Sequence, residues 1–476
     1  MEVSVLTREQ IETIHEASLH ILQRVGVQLP HAETLRRFAD RGAEVDFDSE
    51  RVRISPELVH DFLESAGKSF TIYGRDPANT AAFGVGERNY NSIAGEASWL
   101  DEDTLTRRYA RLEDVRTACI VGDALPNLNV VGAMSDPQDV PSAVQDVFAV
   151  REMIKHTTKP IHFWFNTRAS AGFVSEMLIA QAGSEAEVAR RPLTYNFLEP
   201  ISPLRFARDG VDLLYETARF PLPVSIGPMA QAGATAPVTL PGTMAQENAE
   251  ILAGLCITQL ISPGVPVCYG GIAHIFDMRT TQLVFAGPEQ ALMAVGFTQL
   301  GRHYGLPVYI NVGLTDAKIP DAQAGIEAGI TLALGAAAGA DIFGHLGICG
   351  VDQATSLTML MMQQELIGYV ERLMEGVSVT AETLATDVIE RVVQGDSEFL
   401  GDEHTVRHFR TEHWFPELLD RRFFDAWAED GRKSMADRCR AKLDDILATH
   451  EPERPPEELA DELDRIVEAA VRHIVK

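Results

Sequence analysis

YINVGLTDAKIPDAQAGIE, residues 309–327, runs from a β-branched and aromatic strand through a polar loop into the start of a helix. Pro307 opens the strand, which is read as Pro307–Val312, and Asp321 stands where a helix N-cap belongs. The strand end, loop and helix entry together hold Asn311, Asp316, Lys318, Asp321 and Gln323, the densest polar group in the chain. One βα unit of this kind calls for more of them, since a lone parallel strand has nothing to pair with.

The pattern recurs from about residue 85 onward. Candidate strands are Asn89–Ala94, Leu128–Met134, Pro160–Asn166, Leu193–Leu198, Pro223–Gly227, Pro266–Gly270, Pro307–Val312 and Asp341–Leu346. Helical patterns fill the gaps, as at Gly242–Leu260, Gln290–Tyr304 and Ser356–Met374. Eight such strands are what a closed α/β (β/α)8 barrel, the TIM barrel, requires. The first, NYNSIA, is short and polar, so an open doubly wound sheet also fits.

Ahead of the barrel, Thr7 and Gln10 form a capping box before the apolar stripe Ile11, Ile14, Ile21, Leu22 and Val25, and Gly26 supplies a stop. Ser55-Pro56-Glu57 opens a second helix. Residues 1–70 are therefore expected to be an N-terminal helical extension and 71–450 the barrel with further helices at its end. Residues 451–476 form a linker, EPERPP, and a final amphipathic helix. Its apolar stripe would dock equally well on the barrel or on a second subunit, and a homo-oligomer is expected.

Of the 476 residues, 69 are acidic and 41 basic, giving a net charge of −28. Such a surface repels phosphate backbones, so no nucleic-acid partner is expected. It also favours cations, within the roughly 8 Å that salt allows, although solubility alone explains an acidic surface. Five scattered cysteines without a CxxC pair suit a reducing cytoplasm, and the polar start and lack of a long apolar run imply no membrane association.

Reacting groups in such barrels lie on the loops after the strands. Phe163 and Trp164, in FWFNTR, offer aromatic faces to a quaternary ammonium, and serve equally as buried strand residues. Tyr195 and Glu199, in LTYNFLEPISPL, add a carboxylate to neutralise a cation, or in Glu199 a solvated loop residue. Tyr269 and His274 flank two glycines, and His274 reads as structural. Asp316 and Lys318 belong to the dense loop, where they also fit a simple surface pair. GHLGICGVDQATS brings His345, Cys349 and Asp352 onto a Gly-rich turn. His404 and His408 are four apart, as zinc ligands on a helix are, without the glutamate of an HExxH motif.

Read together, EPISPL (199–204), GATAPVTLPGTMAQENAEILAG (233–254), TDAKIPDAQAG (315–325) and FLGDEHTVRHFR (399–410) resemble the trimethylamine methyltransferase family, over nearly the whole chain. The resemblance is to its branch without pyrrolysine, which includes glycine betaine:corrinoid methyltransferases. It implies a barrel whose mouth receives a separate corrinoid protein, the cobalamin being carried by that partner and none bound tightly by this chain. The pyrrolysine of trimethylamine methyltransferase falls in the segment that looks like GHLGICGVDQATSL, whose residues 344–357 are all standard here. His345, Cys349 and Asp352 neighbour that position.

A quaternary ammonium already has a neutral amine as its leaving group, so its methyl can be attacked directly by cob(I)alamin without a metal Lewis acid. The expected reaction is thus methyl transfer from glycine betaine or a similar betaine. His345 and Asp316 are the candidate catalytic residues, Tyr195, Glu199, Tyr269, Lys318, Phe163 and Trp164 the candidate substrate-binding ones, and no metal ligand is assigned. Lys318 would meet a substrate carboxylate. The rivals are a quaternary-amine binding protein without turnover and a metal-dependent hydrolase using His404 and His408.

Overall fold

The computed structural model describes residues 1–395 and 398–475. All eight anticipated strands are present: β1 Asn89–Ser92, β2 Val131–Gly132, β3 Ile161–His162, β4 Asn196–Leu198, β5 Val224–Ile226, β6 Val267–Gly271, β7 Val308–Ile310 and β8 Ile342–Leu346. Six form one parallel sheet in the order β4-β5-β6-β7-β8-β1, and β2 pairs in parallel with β3. The ring closes through the Asn91–Val130 bridge between β1 and β2 and through the Ile161 amide, which donates to the Leu193 carbonyl at 3.1 Å before β4. Neighbours in sequence are thus neighbours in space all the way round. That closure removes the open-sheet alternative and defines a (β/α)8 barrel.

Each strand is followed by its helix: α1 Leu112–Ala124, α2 Gln145–His156, α3 Arg168–Ala182, α4 Arg208–Thr217, α5 Leu240–Ile261, α6 Pro288–His303, α7 Ala322–Ala338 and α8 Leu357–Glu375. Local chemistry sets their ends. Asp321 caps α7 by accepting from the Ala324 amide at 3.1 Å, and Pro241 and Pro288 sit in the first turns of α5 and α6. The opening helix, Arg8–Arg24, has the Thr7–Gln10 capping box and stops at Gly26, whose φ of 70° suits glycine.

The first 70 residues are less purely helical than the sequence suggests. Val27–Gln28, Glu44–Asp46 and Arg51–Arg53 form a small sheet with Pro200–Ile201 and Arg205–Phe206 from the loop after β4. These strands are only two or three residues long, too short for an alternating pattern to show. A hairpin, Phe70–Tyr73 with Thr80–Phe83, stops one end of the barrel, where Phe70 stacks on Phe83 at 4.3 Å and Phe83 meets Tyr195 at 5.9 Å. The last helix, Glu457–Ile474, lies on α3 and α2, burying Leu463, Ile466, Val467 and Ala470, and Lys155 holds Asp464 at 2.7 Å. Its apolar stripe is therefore satisfied by the barrel itself. No helix among the described residues is long and apolar enough to cross a membrane.

Candidate functional site at the barrel mouth

Alternation along the strands lines the barrel interior with aromatic and polar side chains. Residues two apart share a face, which pairs His162 with Trp164, Tyr195 with Phe197, and Tyr309 with Asn311. They meet across the interior: His162 stacks on Tyr195 at 4.7 Å, Trp164 meets Phe197 edge-on at 5.4 Å, and Phe197 meets Tyr309 at 5.5 Å. His345 completes the group, 6.2 Å from Trp164 and 6.0 Å from Tyr309. Two glycines make room. A Cβ on Gly344 would fall on the Tyr309 phenol, and one on Gly227 would strike the Phe197 ring.

Carboxyl groups from four separate loops surround this aromatic floor. Glu96 follows β1, Asp136 follows β2, Glu199 follows β4 and Asp352 follows β8. The loops of β1 and β8 are tied together by a four-stranded sheet, Ile348–Cys349, Ala354–Thr355, Ser98–Asp101 and Thr106–Tyr109, in which Trp99 pairs with Thr355. Ser356 also donates to Glu102 at 2.8 Å. This union explains how Glu96 and Asp352, far apart in sequence, come to share a hydrogen bond. Left-handed backbone at Gly350, Val351 and Asp352 turns the β8 loop inward, an arrangement that costs energy at non-glycine residues and clusters at functional sites.

These acids resist ionisation. Burial, then repulsion from Asp352, pushes Glu199 up to about 7. Glu199 is itself exposed, its side chain forming part of the cavity wall. Burial and then Asp146 push Asp136 up to about 6. Burial raises both Glu96 and Asp352, and repulsion from Asp352 and then Asp136 raises Glu96 further, since two carboxylates in contact cannot both ionise cheaply. Among the described residues, none of the four makes an ion pair. The histidines are shifted the other way: burial brings His345 and His162 down to about 3, so both are neutral at physiological pH. With the Asn91 amide oriented to donate to the Ser92 and Val130 carbonyls, its oxygen accepts from His162 Nδ1 at 2.9 Å. That leaves His162 Nε2 without a partner, as are both nitrogens of His345 and the side-chain N and O of Asn311.

The mouth is open on the side of the β3 and β4 loops. A cavity of about 540 Å³ there is lined by residues including Phe163, Trp164, Phe197 and Glu199. Buried carboxylates inside the wall hold its loops. Glu250 accepts from Ser202 at 2.7 Å and from the Leu204 amide at 2.8 Å, fixing EPISPL, while Glu247 accepts from the Ile272 and Ala230 amides at 2.8 and 3.1 Å. Asp146 accepts from Ser170 at 2.7 Å and from the Asn166 amide at 2.9 Å, fixing the segment after β3.

The residues singled out in the sequence fall into two groups. Trp164 and Glu199 line the mouth, His345 is buried against Trp164, Phe163 lines the side, and Tyr195 lies deeper beneath His162. Tyr269 points the opposite way: its neighbour Cys268 faces inward, so Tyr269 faces the helices, donating to Asn248 at 2.9 Å beside Phe297 and Tyr304. It leaves the substrate set. Asp316 is a staple, accepting from the Phe285 amide at 2.8 Å to join the β6 and β7 loops, and leaves the catalytic set. Lys318 is exposed on the rim and donates to the Asp316 carbonyl at 2.8 Å. His274 is buried against Phe285 at 4.4 Å.

His404 and His408 lie 4.4 Å apart on an outer helix, Glu403–Glu412, with His408 facing Glu382 at 3.3 Å. Among the described residues no group of three or more His, Cys, Asp or Glu is arranged to hold a metal ion. Glu96 and Asp136 escaped the sequence reading, although their places just after β1 and β2 were the available signal.

A mouth that is aromatic beneath and acidic around is chemically suited to a small organic cation. The profile of the family described as "Trimethylamine methyltransferase (MTTB)" matches residues 1–473. The chain is 32% identical to trimethylamine methyltransferase MttB of Desulfitobacterium hafniense, over 97% of this chain and 92% of that one. It is 31% identical to a glycine betaine methyltransferase of the same species, over 94% and 93%. The crystal structure of Methanosarcina barkeri monomethylamine methyltransferase shares the fold, with a TM-score of 0.51 at 12% identity over 94% of this chain and 89% of that one. The chain belongs to the trimethylamine methyltransferase family.

Proposed function

We propose that this protein takes a methyl group from a quaternary amine at the barrel mouth and delivers it to cobalamin carried by a separate corrinoid protein. The observation that carries this reading is the aromatic floor of Trp164 and Phe197 beneath carboxyls that have no cationic partner of their own. A quaternary nitrogen supplies the missing charge, and its methyl groups match the aromatic faces. The glycine betaine methyltransferase among the relatives makes glycine betaine and other betaines the first substrates to try.

The corrinoid would supply a strongly nucleophilic cobalt centre as methyl acceptor. The open cavity of about 540 Å³ is compatible with approach from outside the barrel, and no residue of this chain needs to ligate the metal. The chain's own residues bind and orient. Trp164 and Phe197 hold the ammonium without a directional bond, so the nitrogen can lose charge as the C–N bond breaks. Glu199 and the Glu96–Asp352 pair offset that charge in the bound state. His345, neutral because it is buried, offers hydrogen bonds and no proton, which suits a leaving group that departs as a neutral amine.

Purified protein with reduced cobalamin, its corrinoid partner and a panel of quaternary amines should release the demethylated amine, followed by mass spectrometry. Absence of that product with every amine, despite calorimetric binding, would select a binding protein without turnover. Absence of both would remove the reading.

A further inference from the structure

The charge pattern of the mouth carries the assignment one step further, on the footing of the function just proposed. Two acids, Glu199 and Asp209, line the cavity, and Asp352 on the β8 loop stands close enough to Glu199 to repel it. Lys318, on the loop after β7, is exposed and donates to the Asp316 carbonyl instead of entering the cavity wall. Among the described residues no Lys or Arg lines the cavity, so nothing positive in its wall stands ready for a substrate carboxylate. A betaine would bring its anionic end against Glu199 and Asp209 with no cation to offset it.

What the floor does offer is neutral hydrogen bonding. His345 is 7% exposed and Asn311 fully buried, and the polar atoms of both side chains have no partner. Tyr309, two residues before Asn311 on the same inward face, also has an unpartnered hydroxyl. Buried polar groups without partners are costly, and a ligand hydroxyl that both donates and accepts would satisfy them.

We infer that the substrate is a quaternary ammonium ion whose fourth substituent is uncharged and carries a hydroxyl, the choline class, in place of a betaine. For such a substrate one N–CH3 bond breaks with its electron pair staying on nitrogen, and the methyl carbon bonds to the cobalt nucleophile of the corrinoid partner. The other product is a neutral tertiary amine, dimethylethanolamine in the case of choline.

The test is calorimetric binding of choline, tetramethylammonium, glycine betaine and carnitine to the full chain at pH 8, with demethylation assayed beside it. Choline should bind at least about tenfold more tightly than glycine betaine or carnitine, a factor corresponding to one unit of log K. Carnitine shares the hydroxyl, so its weakness would isolate the carboxylate. Choline should also bind more tightly than tetramethylammonium, and equality there would overturn the hydroxyl part. Asp352→Asn should narrow the gap between choline and glycine betaine; Asn is at ease at the φ of 58° found there, so the variant should fold. Glu199→Gln provides a second variant with the same expectation. Betaines bound and demethylated as well as choline would overturn this inference while leaving the proposed function standing. If no quaternary amine bound or reacted, both would fall.

Discussion

Protonation of Glu199 should control how tightly the mouth holds a cation. Burial and Asp352 raise this carboxyl to about 7, and a cation prefers the ionised form. The apparent dissociation constant therefore grows by up to the factor 1 + 10^(pKa − pH), so affinity is full above neutrality and lost as pH falls. One unit below its pKa only about a tenth of Glu199 is ionised, so binding at pH 6 should be about three- to eightfold weaker than at pH 8 when the neutral form binds as weakly as the Gln variant. Tetramethylammonium is the probe of choice because it has no ionisable group. Glu199→Gln should flatten the dependence across this interval. Coulomb's law at an effective dielectric of about 20 gives about 4 kcal/mol for contact charges, and cavity water reduces the loss at pH 8 to about 1–2 kcal/mol, or about five- to thirtyfold. Asp136 and the Glu96–Asp352 pair titrate in the same mouth and should add a further decline in acid. Isothermal calorimetry from pH 6 to 8 on both proteins checks the argument. A flat profile in the natural protein, or an unchanged slope in Glu199→Gln, would refute the placement of this carboxyl beside the bound cation.

Trp164→Ala should weaken tetramethylammonium binding by about 1–2 kcal/mol through loss of the cation–π face, measured by the same titration. Asp316→Asn should change turnover by less than about threefold, because the amide oxygen can still accept from Phe285 with about the strength of a neutral hydrogen bond; a collapse of activity would restore Asp316 to the catalytic set. Glu365 accepts from the amides of Glu417, Leu418 and Leu419. Glu365→Ala should therefore speed amide hydrogen exchange around residues 415–430 while leaving the barrel strands protected, and equal protection would contradict that anchoring role.

The eight strands and most helix ends could be read from the chain because their signals are local. Apolar runs, Pro and Gly at element ends, and caps such as Thr7 and Asp321 act within a few residues. Even NYNSIA, short and polar, is a barrel strand; its polarity makes sense once Asn91 is seen bonding His162 inside the barrel. Trp164, Glu199 and His345 could be placed at or beneath the mouth from the sequence because residues at or just beyond strand ends project there.

Register and convergence were beyond that reach. Tyr269 and Cys268 are adjacent, and only the paired sheet determines which of them points inward, since a shift of one residue exchanges the two faces. Glu96, Asp136, Glu199 and Asp352 lie on four loops, and the ring of strands must close before they become neighbours. Asp316 looked catalytic as long as its partner, the Phe285 amide on another loop, was out of sight. Local steric and hydrogen-bonding preferences write the elements into the chain. Which side chains meet, and so which carboxyls lose their water and hold their protons, is set by contacts between segments that no short window of residues contains.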